Sequence, residues 1–250
     1  MTRIDAGGDP AISPAGRPVT STGRAPGPVV MGDVVSAVLF DMDGTLVDST
    51  AVVQRTWRAF AGRHGLDAEW ILEVSHGRRT AETVALFAPE GVDVNGETRR
   101  IVAEETEDTD GVVAVPGAGP LLAALPENSW ALVTSAGREL AERRMGAAGL
   151  PTPPIVISAD DVVIGKPDPE GYLAAAARLG TPAHSAVAFE DAEAGIVAAR
   201  AAGARTVVVG PVLCAAAVGL ERVADLRGVR VDVVPGSARL RVWTVPAPHH

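Results

Sequence analysis

Short β-rich, mostly apolar runs recur along this chain, and helix-like segments separate them. Val34–Phe40, Trp130–Val133, Ile155–Ile157, Ala186–Phe189 and Thr206–Val209 alternate with helical stretches at about 137–149, 169–179 and 192–202. A strand apolar on both faces needs cover on both faces, and a parallel sheet sandwiched between helices supplies it. The pattern predicts an α/β fold with a doubly wound parallel sheet, Rossmann-like. Residues 50–64 read as a helix, with Val52, Val53, Trp57 and Phe60 at helical spacing and Gly65 just past its end. The stretch 67–110 reads as all-helical, broken at His76-Gly77 and Pro89-Glu90-Gly91. It interrupts the alternation, so a helical subdomain is expected over 52–112, inserted between core segments 34–51 and 113–235. Asp168, Pro169 and Gly180 are expected to bracket one core helix as N-cap, first position and C-terminal stop. Residues 211–235 read as a helix and a strand near Val231–Val234, and 236–250 as a Pro-rich C-terminal extension.

Composition bounds what such a chain can do. With 250 residues, 47 % of them apolar and 21 % charged, a real core can form. Aromatics make up only 4 %, so aliphatic side chains must fill it. The net charge is −9 and basic residues form no long run, so neither nucleic acid nor a membrane surface is an expected partner. No apolar stretch approaches the length of a bilayer span. Cys214 is the single cysteine, which excludes an internal disulfide and reads as a small apolar filler. Residues 1–33 are rich in Gly and Pro without apolar periodicity and read as a flexible tail, not a secretory signal, with Met31 a candidate start. His64 and His184 are expected on the surface, and Trp57 and Phe60 in a core.

In a doubly wound sheet, ligands bind beyond the carboxyl ends of the strands. The first strand runs into Asp41-Met42-Asp43-Gly44-Thr45, the second into Thr134-Ser135, and the 186–189 run into Glu190-Asp191. The 155–157 run is followed by Asp160, Asp161 and then Gly165-Lys166-Pro167. Lys166 is the only lysine in a chain whose other basic residues are all arginine. That choice suits a site where a compact ammonium fits and a guanidinium does not. Carboxylates crowded on one rim repel unless a divalent cation sits among them, and oxygen donors without His or Cys select a hard ion, most simply Mg²⁺. Gly165-Lys166-Pro167 is not a nucleotide P-loop, because Pro stands where Ser or Thr is needed. Gly117-Ala118-Gly119 reads as a helix entry.

Asp41-Met42-Asp43-Gly44-Thr45-Leu46-Val47-Asp48-Ser49 resembles the first motif of the haloacid dehalogenase-like superfamily. Thr134, Lys166 and Glu190-Asp191 follow in order as its second, third and fourth motifs, over roughly residues 34–210. The insert after the first motif resembles the helical-cap class. His76-Gly77-Arg78-Arg79-Thr80 and Gly165-Lys166-Pro167-Asp168-Pro169-Glu170 are similar to the branch holding glycerol-phosphate, 2-deoxyglucose-6-phosphate and other sugar phosphatases. The resemblance implies a cytoplasmic Mg²⁺-dependent phosphatase acting on a small phosphorylated metabolite through an aspartyl-phosphate, as a monomer or weak homodimer. Asp41 would be the nucleophile and Asp43 the acid and base. The metal would be held by Asp41, the Asp43 carbonyl and Asp191, with Glu190 nearby. Thr134 and Lys166 would stabilise the transferring group, with Ser135 and Ala136 beside it, and His76 and Arg79 would reach the substrate from the cap. A β-phosphoglucomutase-like mutase is the alternative. Two departures lower it: Val53 stands where mutases resemble one another in carrying a His, and their cap motif is closer to Gly-x-Ser-Arg. A dehalogenase is a third option, against which Asp43 argues, since halide release needs no acid.

Overall fold

The computed structural model describes residues 32–245. The tail expected over 1–33 lies outside the described residues except for Gly32 and Asp33. The chain opens with β1 (Asp33–Val35), β2 (Ala37–Phe40) and β3 (Val47–Asp48). Four helices follow: α1 (Thr50–His64), α2 (Ala68–Ser75), α3 (Thr80–Phe87) and α4 (Val94–Glu107). The chain then alternates through β4 (Val113–Ala114), α5 (Ala118–Ala124), β5 (Trp130–Val133), α6 (Arg138–Ala147), β6 (Val156–Ile157), α7 (Glu170–Arg178), β7 (Ala186–Glu190), α8 (Glu193–Ala201) and β8 (Arg205–Val209). Three strands close it: β9 (Glu221–Val223), β10 (Val229–Val233) and β11 (Leu240–Thr244).

The main sheet has the order β6-β5-β2-β7-β8-β9 and every pairing in it is parallel. Strands β2, β5 and β7 are buried at every residue, as both-face-apolar runs require. One face packs Phe40, Trp130, Leu132 and Phe189 with Leu121, Leu122 and Met145. The other face packs Leu39, Val133 and Ile157 with Tyr172 and a set of alanines from α7 and α8. Small residues let these helices lie close to the sheet, which compensates for the shortage of aromatics.

The four helices of the cap fold around their own cluster of Trp57, Phe60, Ala61, Ile71, Val84 and Ile101. Entry to and exit from the cap are stitched together, because β3 pairs antiparallel with β4. Gly65 ends α1 in the left-handed region, as its position predicts.

Several expectations are corrected. The first run is two strands. It breaks at Ser36, whose N–H donates to the Ser185 carbonyl, and β1 joins a second, antiparallel sheet of order β1-β11-β10. Strand β11 falls within the segment expected as a C-terminal extension, and its Leu240 and Val242 are buried in the main core. No α-helix forms over 211–225. A single turn of 3₁₀-helix at Ala215–Ala217 precedes β9, which completes the sheet edge against β8. Helix α7 starts one residue later than expected, with Pro169 at its N-cap, while Asp168 accepts the Glu170 N–H at 2.9 Å. His64 is not a surface residue: it packs on Phe60, 4.9 Å between ring centroids, and faces Glu97.

Candidate active site

Strand β2 continues past Phe40 by one more ladder hydrogen bond, Asp41 N–H to the Phe189 carbonyl at 3.0 Å. Side chains alternate there. Met42 is fully buried in the core, while Asp41 and Asp43 both face a cavity between core and cap. The chain then folds back at Gly44, whose φ is +85° and whose added Cβ would lie 1.8 Å from an Asp191 oxygen. Glycine is required there by both the backbone conformation and the close approach of the next carboxylate.

Lys166 is the hub. Its Nζ donates to Asp41 Oδ1 at 2.5 Å, to Glu190 Oε1 at 2.7 Å and to the Val133 carbonyl at 3.0 Å. All three ammonium protons have acceptors, in the compact geometry a lysine offers and a planar guanidinium does not. Burial opposes its charge, but Asp41 and Glu190 outweigh that and raise its pKa above the ordinary lysine value.

Glu190 is saturated by protein donors. Oε1 also accepts from the Tyr172 hydroxyl at 2.5 Å, and Oε2 accepts from the N–H groups of Asp191 and Ala192 at 3.2 and 3.4 Å. A Cβ on Gly195 would stand 1.8 Å from the Glu190 carboxylate, so α8 can pass this close only with glycine there. Burial, then the Glu190 charge, holds the Tyr172 hydroxyl well above its usual pKa, so it stays a donor.

Asp191 accepts from the Thr45 hydroxyl at 3.2 Å and meets His76 Nε2 at 2.8 Å. The Asp191 hydrogen bond lifts the His76 pKa to about 9, against the effect of burial. Oxygens of Asp41, Glu190 and Asp191 all lie within 4.8 Å of one another. Burial, followed by the Glu190 charge, pushes the Asp41 carboxyl well above its usual range despite Lys166. A buried all-oxygen set with excess negative charge fits a hard divalent cation. Asp41 and Asp191, which keep accepting capacity, are better placed as direct ligands than Glu190.

Thr134 and Ser135 follow β5, as expected. Thr134 Oγ1 accepts the Ala136 N–H at 3.1 Å, and Ser135 donates to the Gly77 carbonyl of the cap at 2.8 Å. Asp41, Asp43, Thr134, Ser135, Ala136 and His76 line one cavity of about 220 Å³. That is below the roughly 300–1,000 Å³ of pockets for drug-sized ligands.

Two expectations fail here. Arg79 does not face this cavity. Its guanidinium donates to the Val162 and Val163 carbonyls at 2.9 and 3.1 Å and straps the cap to the loop before Lys166. Arg78 lines the cavity instead. Asp160 and Asp161 do not reach the carboxylate cluster. Asp160 accepts the Arg138 N–H at the start of α6, and Asp161 closes a capping box with Ser158 while pairing with Arg138 and Arg178. The sequence reading also missed Ser49, Tyr172, Arg144 and Glu105. Ser49 donates to Asp43 Oδ1 at 2.6 Å, and Arg144 pairs with the same oxygen at 2.9 Å. Their signal was available: Arg144 and Glu105 each sit on the apolar stripe of a helix, beside Leu140, Ala141 and Met145 in one case and Ile101 in the other.

The fold and the site together define a strand-end carboxylate hydrolase with a helical cap. The chain belongs to the haloacid dehalogenase-like hydrolases, whose family model matches residues 35–203. It is 39 % identical over 175 residues to hexitol phosphatase A of Escherichia coli, covering 68 % of this chain and 81 % of that protein. It is 38 % identical over 187 residues to glycerol-1-phosphate phosphohydrolase 2 of Saccharomyces cerevisiae, covering 69 % and 74 %. Among solved structures, a hydrolase from Pseudomonas syringae superimposes with a TM-score of 0.66 at 26 % identity, over 76 % of this chain and 94 % of that one.

Proposed function

We propose that the protein is a Mg²⁺-dependent phosphatase that hydrolyses a small sugar or polyol phosphomonoester through an aspartyl-phosphate. The observation that carries this reading is the pairing of Asp41 with Lys166 at the end of β2, with Asp41 and Asp43 both on the wall of one small cavity. The polyol phosphatases among its relatives support the substrate class.

Lys166 holds Asp41 Oδ1, which leaves Oδ2 as the attacking oxygen. Attack on phosphorus forms the aspartyl-phosphate, and Asp43 gives its proton to the leaving alkoxide. Asp43 then takes a proton from the water that cleaves the intermediate. Ser49 and Arg144 fix the Asp43 carboxylate for both transfers. Lys166, Thr134 and the N–H groups after β5 offset charge on the transferring group. A bound divalent cation between Asp41 and Asp191 would supply further charge neutralisation at the phosphoryl oxygens. His76 would face the substrate from the cap. Arg79 is assigned to holding the cap down and not to the substrate.

Phosphate release from a panel of sugar and polyol phosphates, with and without Mg²⁺ and for Asp41→Asn, tests the reading. Mg²⁺-dependent release that vanishes in Asp41→Asn is expected, and release undiminished in that variant would refute the covalent route. Val53, where a mutase-like histidine is wanting, lines the cavity and offers no proton transfer. Hydrolysis should therefore outpace any phosphate migration between hydroxyls.

A further inference from the structure

Beyond the Asp43 carboxylate that Arg144 positions, the cavity wall carries a buried charged pair whose second member, Glu105, has no part in the phosphoryl chemistry. Arg144 on α6 is 3 % exposed and Glu105 on cap helix α4 is 4 % exposed, yet both line the cavity beside Asp43. Arg144 Nη1 pairs with Asp43, and Nη2 lies 3.4 Å from Glu105 Oε1. Among the described residues, Arg144 Nε and Nη2 have no hydrogen-bond partner. Arg144 is also the one ion-pair partner of Glu105 among them. Glu105 lines the cavity with a single charged partner, so its carboxylate keeps accepting capacity that a ligand there can fill.

We infer that Glu105 and Arg144 form the subsite that grips the hydroxylated tail of the substrate. The inference rests on the phosphatase reading and deepens it. A hydroxyl both donates and accepts, so adjacent hydroxyls can give a proton to Glu105 and take one from Arg144. The neighbouring Val53, Leu72 and Leu140 receive the C–H face of the same chain. A carboxylate only accepts hydrogen bonds, and so does a phosphate dianion, so Glu105 takes a hydroxyl in preference to a second phosphate. The subsite therefore selects an uncharged polyol tail over a bare alkyl chain and over a bisphosphate. It also spans both parts of the molecule, with Arg144 on the core and Glu105 on the cap, so it forms only when the cap is down.

The test compares kcat/KM for ethyl phosphate, a hexitol monophosphate and a hexitol bisphosphate, all with Mg²⁺. In Glu105→Gln the ratio of hexitol monophosphate to ethyl phosphate should fall about tenfold, chiefly through KM, as loss of a hydrogen bond to a charged group predicts. The ratio of bisphosphate to monophosphate should rise in the same variant. Glu105→Asp keeps the charge but withdraws it by one methylene, and the first ratio should fall there too; this variant reports if Glu105→Gln does not fold. An unchanged ratio in a variant that melts like the wild type, or an equal loss on ethyl phosphate, overturns the subsite. Failure of the wild type to release phosphate from any of the three overturns the phosphatase reading beneath it.

Discussion

Every residue of β2, β5 and β7 is buried, whereas α2, α3 and α4 each bury only a pair of residues outright. The core holds its chemical groups at the ends of strands fixed by ladders on both sides. The cap holds its groups on short helices around a small apolar cluster, with ion pairs such as Arg55–Asp108 and Arg58–Glu69 on its surface. Exposed pairs of this kind contribute about 0–1 kcal/mol each. The contrast teaches a division of labour. Asp41, Thr134 and Asp191 sit at the ends of fully buried strands, while His76 reaches the same rim from a helix break in the less deeply buried cap.

The sharpest way to break this contrast is to disable the core alone. Asp41→Asn should lower phosphate release by on the order of 10⁴-fold or more, with its far-UV circular dichroism unchanged. Asp43→Asn should cost roughly 10²–10⁴-fold for an alkyl phosphate but much less for 4-nitrophenyl phosphate, whose leaving group needs no proton. Lys166→Arg should cost about 10²–10³-fold in kcat, because the ammonium slot between Asp41, Glu190 and the Val133 carbonyl does not take a fork. Activity retained in Lys166→Arg would mean that charge alone suffices there. On the cap side, Arg79→Ala removes the strap to Val162 and Val163 and should raise KM by roughly 3–10-fold with kcat nearly constant. The smallest effect is one of stability. Asp161 is held at a pKa of about 2, despite some burial, by hydrogen bonds from Ser158 and its arginine partners. Asp161→Asn should lose about 1 kcal/mol at pH 7, as for a lost cap. Because the folded carboxyl is the stronger acid, the wild-type advantage is full above the unfolded value of about 4 and fades as pH falls towards 2. Denaturant unfolding of both proteins across that range checks it.

The sheet was legible in the sequence because buried parallel strands leave apolar runs that little else produces. The rim was legible because Asp41, Thr134, Lys166 and Asp191 each follow such a run. What escaped notice escaped for physical reasons. Strand β1 looks like the start of β2 in sequence, and only the partner strand β11, some two hundred residues on, tells them apart. Arg79 looks like a substrate ligand by residue type, and only the position of the Val162 and Val163 carbonyls gives it another role. Asp160 and Asp161 carry the right charge after the right strand, but the arginines of α6 and α7 claim them. Long-range partners, unlike periodicity, are not written locally.

The ribbon of β3 and β4 ties the two crossings of the chain into one stalk. No hydrogen bond of the six-stranded sheet passes through that stalk, yet the head it carries also grips the rim, through His76 on Asp191 and Ser135 on the Gly77 carbonyl. A replacement head would therefore have to rebuild those two grips before the machinery beneath it could run unchanged.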